Sequence, residues 1–412
     1  MTFIYCPSHS DLHTFSVDQD ELLINGIPVT RLARRVGRTP FYAYDRSVID
    51  MRVATLRKTL PERIHLHYAM KANPMPAVVQ HIARLVDGID VASGAELRVA
   101  LDTGTSPERI SFAGPGKTEA ELSQAIASGI TLNVESMREL ELLARLGDAC
   151  GDRPRFAVRV NPDFELKSSG MKMGGGPKQF GIDVEHIPEL FDRAKALDLE
   201  FVGLHIFSGS QNLRPEAIVD AQSKSVDLAI RLSDTAPGPI RILNIGGGFG
   251  IPYFPGDIPL DLEPIAACLA ERSEQMTRAL PDARIVIELG RYLVGEAGIY
   301  VCRVIERKMS RGEVFLITDG GLHHHLAASG NFGQVLRKNY PVIIANRVRG
   351  SSREKSNVVG PLCTPLDTLA ARMDLASADA GDLVAVMQSG AYGFTASPTH
   401  FLSHPPAVEV FV

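Results

Sequence analysis

The chain has no tryptophan, and its five cysteines, Cys6, Cys150, Cys268, Cys302 and Cys363, lie far apart. None has the short paired spacing of a structural zinc site or a disulfide-stapled fold, so they read as reduced thiols of a cytoplasmic protein. No apolar run reaches the length of a membrane span, and residues 1–10 lack a basic start followed by an apolar segment. A soluble, unexported chain with no membrane partner is the expectation. Excess charge of one sign is also missing: 43 basic and 48 acidic residues are interspersed for a formal charge of -5. That leaves no basic field for nucleic acid. Internal repeats and low-complexity tracts are absent too.

What the chain does have is length and core material, 412 residues of which 45% are hydrophobic, and this predicts two domains. Over residues 36–290, short apolar runs alternate with amphipathic stretches, the pattern of strand-helix units around a parallel sheet. The runs are His65–Met70, Gly88–Ala92, Arg109–Ala113, Ile130–Val134, Phe156–Val160, Phe201–Phe207, Ile240–Ile245 and Arg284–Glu288. Eight units in this length predict a closed (β/α)8 TIM barrel. Between runs, Met137, Leu140, Leu143 and Leu146 form one stripe of an outer helix. After Tyr292 the runs Ile299–Ile305, Val314–Thr318, Val342–Ala345 and Leu383–Met387 predict a C-terminal all-β domain, 291–412. The strand-like pieces Glu21–Ile24 and Ile27–Val29 place residues 1–35 with it.

Functional groups of such barrels gather at the C-terminal ends of the strands. At the first end, alternation puts His65, His67, Ala69 and Lys71 on one face. A lysine there is partly desolvated, which lowers its pKa and favours Schiff-base chemistry; alone, it also reads as an ordinary surface lysine. The seventh end is the glycine turn Gly246-Gly247-Gly248-Phe249-Gly250, whose backbone N–H groups can wrap a phosphate. At the eighth, Glu288-Leu289-Gly290-Arg291 sets an anion and a cation on the same rim, either a salt bridge or an acid for a pyridine nitrogen. Together, lysine, phosphate turn and acid describe one cofactor across a barrel mouth. The run His323-His324-His325 is read as solvated or packing, because consecutive residues cannot all face one metal; no metal site is expected. Lys167–Gly176 is read as a mobile loop over the site.

These residues resemble the fold-type III pyridoxal phosphate (PLP) decarboxylases, which include the diaminopimelate and ornithine decarboxylases and share an alanine racemase-like barrel. The resemblance covers nearly the whole chain. It is carried by YAMKAN at 68–73, DVASGAEL at 90–97, SGSQ at 208–211, GGGFG at 246–250, ELGR at 288–291, GPLC at 360–363 and GAYG at 390–393. It implies that PLP is held as a Schiff base by Lys71, that Glu288 faces the pyridine nitrogen, and that Ser210, Gly248, Gly290, Arg291 and Tyr392 surround the phosphate. Asp90, Arg159, His205, Phe207, Gly247 and Gly250 complete the implied cofactor contacts. It also implies a head-to-tail homodimer in which GPLC and GAYG complete the partner's site, with Cys363 as the acid that protonates the substrate carbon after carbon dioxide leaves.

The departures concern the substrate. Diaminopimelate decarboxylases carry Glu after the catalytic Cys, where this chain has Thr364, which cannot pair with a distal ammonium. Their stacking histidine aligns with Phe207; His205, on the same face, reads either as an assistant or as a satisfied barrel histidine. Arg337 and Tyr340 align loosely with a substrate-carboxylate arginine and its tyrosine, and Tyr392 lies with them and Thr364 among the substrate candidates. Thr364 and Phe207 point to the branch containing the butirosin-pathway decarboxylase, which acts on a carrier-protein-bound glutamyl group, and the exosortase-associated decarboxylases. The expected activity is therefore α-decarboxylation of an amino acid or an acyl-carrier-protein-bound aminoacyl substrate. Diaminopimelate decarboxylation, amino-acid racemisation and an inactive PLP-binding regulator are the alternatives. Inversion without gas release would mark a racemase, and absence of a bound-cofactor absorbance band a regulator.

Overall fold

Each of the eight apolar runs forms a strand in the computed structural model, which describes residues 9, 13–165, 171–334 and 336–412. The strands are β1 (His65–Ala69), β2 (Gly88–Val91), β3 (Ile110–Phe112), β4 (Thr131–Val134), β5 (Arg155–Asn161), β6 (Glu200–His205), β7 (Ile242–Gly247) and β8 (Arg284–Leu289). All neighbours are parallel, and β8 pairs with β1, so the sheet closes into a barrel. Runs this short and apolar suit a barrel strand, which is covered by helices outside and side chains inside. Leu66, Phe112, Leu132, Phe156, Leu243 and Ile287 are almost fully buried.

The connecting helices are fixed by local chemistry. Helix Met137–Cys150 starts at Ser136, whose side chain accepts from the Glu139 N–H, and ends at Gly151 in the left-handed conformation. Its buried face is Leu140, Leu143, Ala144 and Gly147, with Leu146 only half-buried.

The chain divides into two units: one of residues 52–250 and 260–290, which carries the barrel, and one of 1–51, 251–259 and 291–412. Residues 36–51 therefore leave the 36–290 segment expected for the barrel. The reason is pairing: Phe41–Tyr44 lies between strand Gly298–Ser310 and strand Val408–Phe411. Residues 251–259 leave it as well.

The second unit is built on an eight-stranded sheet in which Gly298–Ser310 is the long central strand, flanked by Leu383–Val386 and Glu313–Thr318. His323, His324 and His325 are buried in it rather than solvated. His323 packs on His324 with ring centroids 3.7 Å apart, and His325 shares a 2.9 Å hydrogen bond with Ser389 Oγ. Burial pushes the His325 imidazole down to about 3, so it packs as a neutral ring. Among the described residues no helix is long and apolar enough to cross a membrane, and no group of His, Cys, Asp and Glu could hold a metal.

Candidate active site

Lys71 does not continue the alternation of β1. The strand stops at Ala69, and Met70–Ala72 forms one 3-10 turn closed by the Asn73 N–H donating to Met70 O at 3.0 Å. Asn73 Oδ1 accepts from the Met75 N–H, which stabilises the exit before Pro76 opens a helix. The turn leaves Lys71 partly exposed, with Nζ 3.5 Å from Glu288 Oε1 and 5.2 Å from the Phe207 ring centroid.

Glu288, near the end of β8, is 5% exposed. Its second oxygen lies 3.2 Å from His205 Nε2 and accepts from Asn244 Nδ2 at 3.5 Å. Burial alone pushes this carboxyl up, but Lys71 and His205 outweigh it and hold Glu288 well below the usual carboxylate range. His205 thus pairs with the acid as a barrel-interior histidine. Its ring centroid is 6.4 Å from that of Phe207, at a 55° tilt.

The glycine turn after β7 needs its glycines: Gly246 and Gly248 have φ of +66° and +74°. A Cβ on Gly246 would lie 2.6 Å from Phe207, so the missing side chain lets that ring lie on the turn. Asn212 clamps the far side, donating from its N–H to Gly248 O and accepting from the Gly250 N–H, both at 2.9 Å. Ser210 sits beside it on a two-residue strand, Gly209–Ser210, paired with Met171–Lys172. Of the Lys167–Gly176 segment, residues 167–170 lie outside the described residues, and the Gly175 N–H donates to Asn161 Oδ1.

On the opposite side of the mouth, Asp90 Oδ1 is 3.1 Å from His67 Nδ1 and accepts from Ser111 Oγ. Asp90 Oδ2 and His205 Nδ1 are buried with no hydrogen-bond partner among the described residues. Buried polar atoms in that state call for a ligand or water. An amine, a carboxylate with a buried imidazole, a glycine turn with positive φ and buried polar atoms without partners fit PLP.

In the second unit, Arg291 is half-buried in an aromatic cage. One NH donates to Tyr253 OH at 3.0 Å, and the guanidinium lies 4.6 Å from the Tyr392 ring centroid. Tyr340 stacks on Tyr253 at 4.7 Å, so it is a cage residue. Arg337 is exposed, and its guanidinium donates to Thr368 O at 2.6 Å. Cys363 is exposed, on a loop knotted by Asp367, whose carboxylate accepts from the N–H groups of Leu322 and Leu362. Thr364 Oγ1 accepts from the Leu366 N–H within that loop.

Reading strand ends for charged groups left several residues unmarked. Glu135, directly after β4, is one: it holds Arg159, the residue near the end of β5 that family resemblance already supplies. Glu96 is half-buried and feels the charge of Lys71. Tyr253 was unreadable because its partner Arg291 is distant in sequence, but Glu135 follows Val134 at a strand end and was open to the same rule as Glu288.

The family described as pyridoxal-dependent decarboxylase, pyridoxal binding domain, matches residues 46–295. Among curated proteins, the chain is 38% identical over 388 residues to an L-glutamyl-[BtrI acyl-carrier protein] decarboxylase of Niallia circulans, covering 93% of this chain and 90% of that one. It is 35% identical to the diaminopimelate decarboxylase of Aquifex aeolicus, covering 95% and 90%. A crystal structure of Helicobacter pylori diaminopimelate decarboxylase complexed with L-lysine superposes with a TM-score of 0.82 at 28% identity, over 93% of this chain and 94% of that one. The barrel, the lysine-carboxylate pair at its mouth and these matches lead to one statement: the chain belongs to the fold-type III PLP-dependent decarboxylases.

Proposed function

We propose that the chain removes the α-carboxylate from an amino acid, or from an aminoacyl group carried on an acyl-carrier protein. The observation that carries this is the Lys71–Glu288 pair, 3.5 Å apart at the barrel mouth with His205 behind the carboxylate. PLP supplies the electron sink that takes the pair released from the carboxylate bond. Lys71 would hold the cofactor covalently, and Glu288 would keep a proton on its ring nitrogen. Phe207 would lie against the ring; Ser210, Gly248, Gly290, Arg291 and Tyr392 would take the phosphate role that family resemblance assigns them, with Gly247 and Gly250 as adjoining cofactor contacts. Asp90 and Arg159 present the remaining polar contacts.

The acid in this reading is Cys363, supplied by a second copy. Its loop supports that: Leu366, Phe332 and Leu336 are 59%, 44% and 78% exposed, and Asn331 Nδ2 donates to Leu366 O, tying the two loops together. Exposed apolar residues on these two tied loops, one of which carries the exposed thiol, suit a homodimer interface. Cys363→Ala is expected to keep the bound-cofactor absorbance while lowering amine formation on the order of 100-fold. Amine release within a few-fold of the parent would remove Cys363 from the proton-donor role.

Thr364 and the resemblance to a carrier-protein glutamyl decarboxylase favour a substrate whose far end carries no free ammonium. The test is carbon dioxide release from PLP-loaded protein across diaminopimelate, ornithine, lysine, arginine and glutamate, free and carrier-bound. Release from the carrier-bound glutamyl group is expected. Release from free diaminopimelate alone would place the chain in lysine biosynthesis, the second reading, which rests on its 35% identity to a diaminopimelate decarboxylase.

A further inference from the structure

A buried network of four charges lies beside the proposed cofactor site. Lys117, with a side chain 1% exposed, donates to Glu139 Oε1 at 2.7 Å and to the carbonyls of Gly114 and Asn133, each at 2.8 Å. Its three protons have three acceptors. Glu139 Oε2 accepts from the Glu135 N–H at 2.7 Å. Glu135 is 2% exposed and bridges three segments: Oε1 accepts from Arg159 at 2.9 Å and from the Gly114 N–H at 2.6 Å, and Oε2 accepts from the Gly181 N–H at 3.0 Å.

Two anions balance two cations, so no net charge is left uncompensated. Arg159 is held on one side by Glu135 and on another by Phe180, whose ring centroid is 4.9 Å from the guanidinium carbon. Gly181 leaves no spare room: a Cβ there would sit 2.9 Å from Arg159 O. The positive charge of Arg159 reaches Glu288 and favours its ionised form.

The geometry points to Glu135 as a positioning residue of the cofactor site, which fixes Arg159 toward the barrel mouth while the Lys117–Glu139 pair holds the Glu135 backbone from behind. This rests on the cofactor reading above. The network is costly to bury, and a surface pair would serve for stability alone; what it adds is one fixed direction for a guanidinium. Glu135 touches no cofactor atom in this scheme and acts only through Arg159.

The test is a double-mutant cycle on the full-length protein, reading the PLP dissociation constant by titrating cofactor into stripped protein and following the visible band of the lysine-bound form. Glu135→Gln is expected to weaken PLP on the order of tenfold, the worth of one charge-assisted hydrogen bond. Lys117→Met is expected to weaken it in the same direction, although it lies two side chains further from Arg159. In an Arg159→Met background, Glu135→Gln is expected to have no further effect, because its target is gone; a merely structural role would give additive losses. If Glu135→Gln does not fold, Glu135→Asp, which keeps the charge and retracts the carboxylate, takes its place in the cycle. Glu141→Gln, an exposed partner of Arg193, is the control that leaves PLP affinity unchanged. Parent-like affinity in Glu135→Gln and Lys117→Met, or additive losses, would overturn the positioning role while leaving the decarboxylase reading intact. Failure of the parent protein to show the visible band would remove that reading and this one together.

Discussion

Lys71→Ala is expected to lose the visible absorbance of bound cofactor and to lower carbon dioxide release about 10,000-fold or more, since the same amine both holds PLP covalently and moves protons. Its position makes the effect specific. The side chain is 42% exposed, so truncating it removes little packing and the variant should fold. Nor can the buried Lys117 substitute, because each of its protons is already bound by Glu139, Gly114 or Asn133. Glu288 keeps His205 and Asn244 as partners when Lys71 is removed, so its carboxylate is not stranded. The measurement is the absorbance of the desalted variant after incubation with excess PLP, followed by gas release on the substrate that the parent protein accepts. A retained band with retained release would move the covalent role to another residue.

How much of this was legible follows from range. The barrel strands are short, apolar and local, and each of the eight runs is a strand within a few residues of its expected bounds. Glu288 and the glycine turn were readable because they follow directly on such runs. Lys71 was found for the right strand but the wrong backbone: alternation carried it along β1, whereas Asn73 closes a 3-10 turn that sets it at the mouth. Pairings between distant segments left no local signal. Phe41–Tyr44 reads as one more apolar run until Gly298–Val301 and Val408–Phe411 are seen on either side. Three consecutive histidines read equally as solvated or packing until the shell that buries them is known. Cage residues such as Tyr253 and Tyr340 are recognisable only as neighbours of Arg291.

Glu288→Gln separates the electrostatic role from the covalent one. Glutamine fills the same space and can still bond to His205 and Asn244, but it cannot keep a proton on a pyridine nitrogen. The variant should therefore bind PLP through Lys71 with its visible band intact, yet lose turnover on the order of 1,000-fold, as expected when one preorganised charge is removed from a buried site. The pH dependence follows from the direction of the shift. Burial raises the Glu288 carboxyl, Lys71, His205 and Arg159 together lower it by more, and the net direction is below the ordinary value of 4.5; once Lys71 is committed to the cofactor, His205 and Arg159 still favour the ionised form. For an acid shifted downward, the ionised form and the stability it brings are complete above the ordinary value and are lost only as pH falls below it. Between about pH 6 and pH 9 the loss of turnover in Glu288→Gln is thus expected to be constant, with no titration step of Glu288 in the parent profile. Parallel pH profiles of turnover for parent and variant check this directly. A loss that shrinks toward low pH would mean that Glu288 protonates within the working range, and a variant within a few-fold of the parent would leave the pyridine nitrogen to another group.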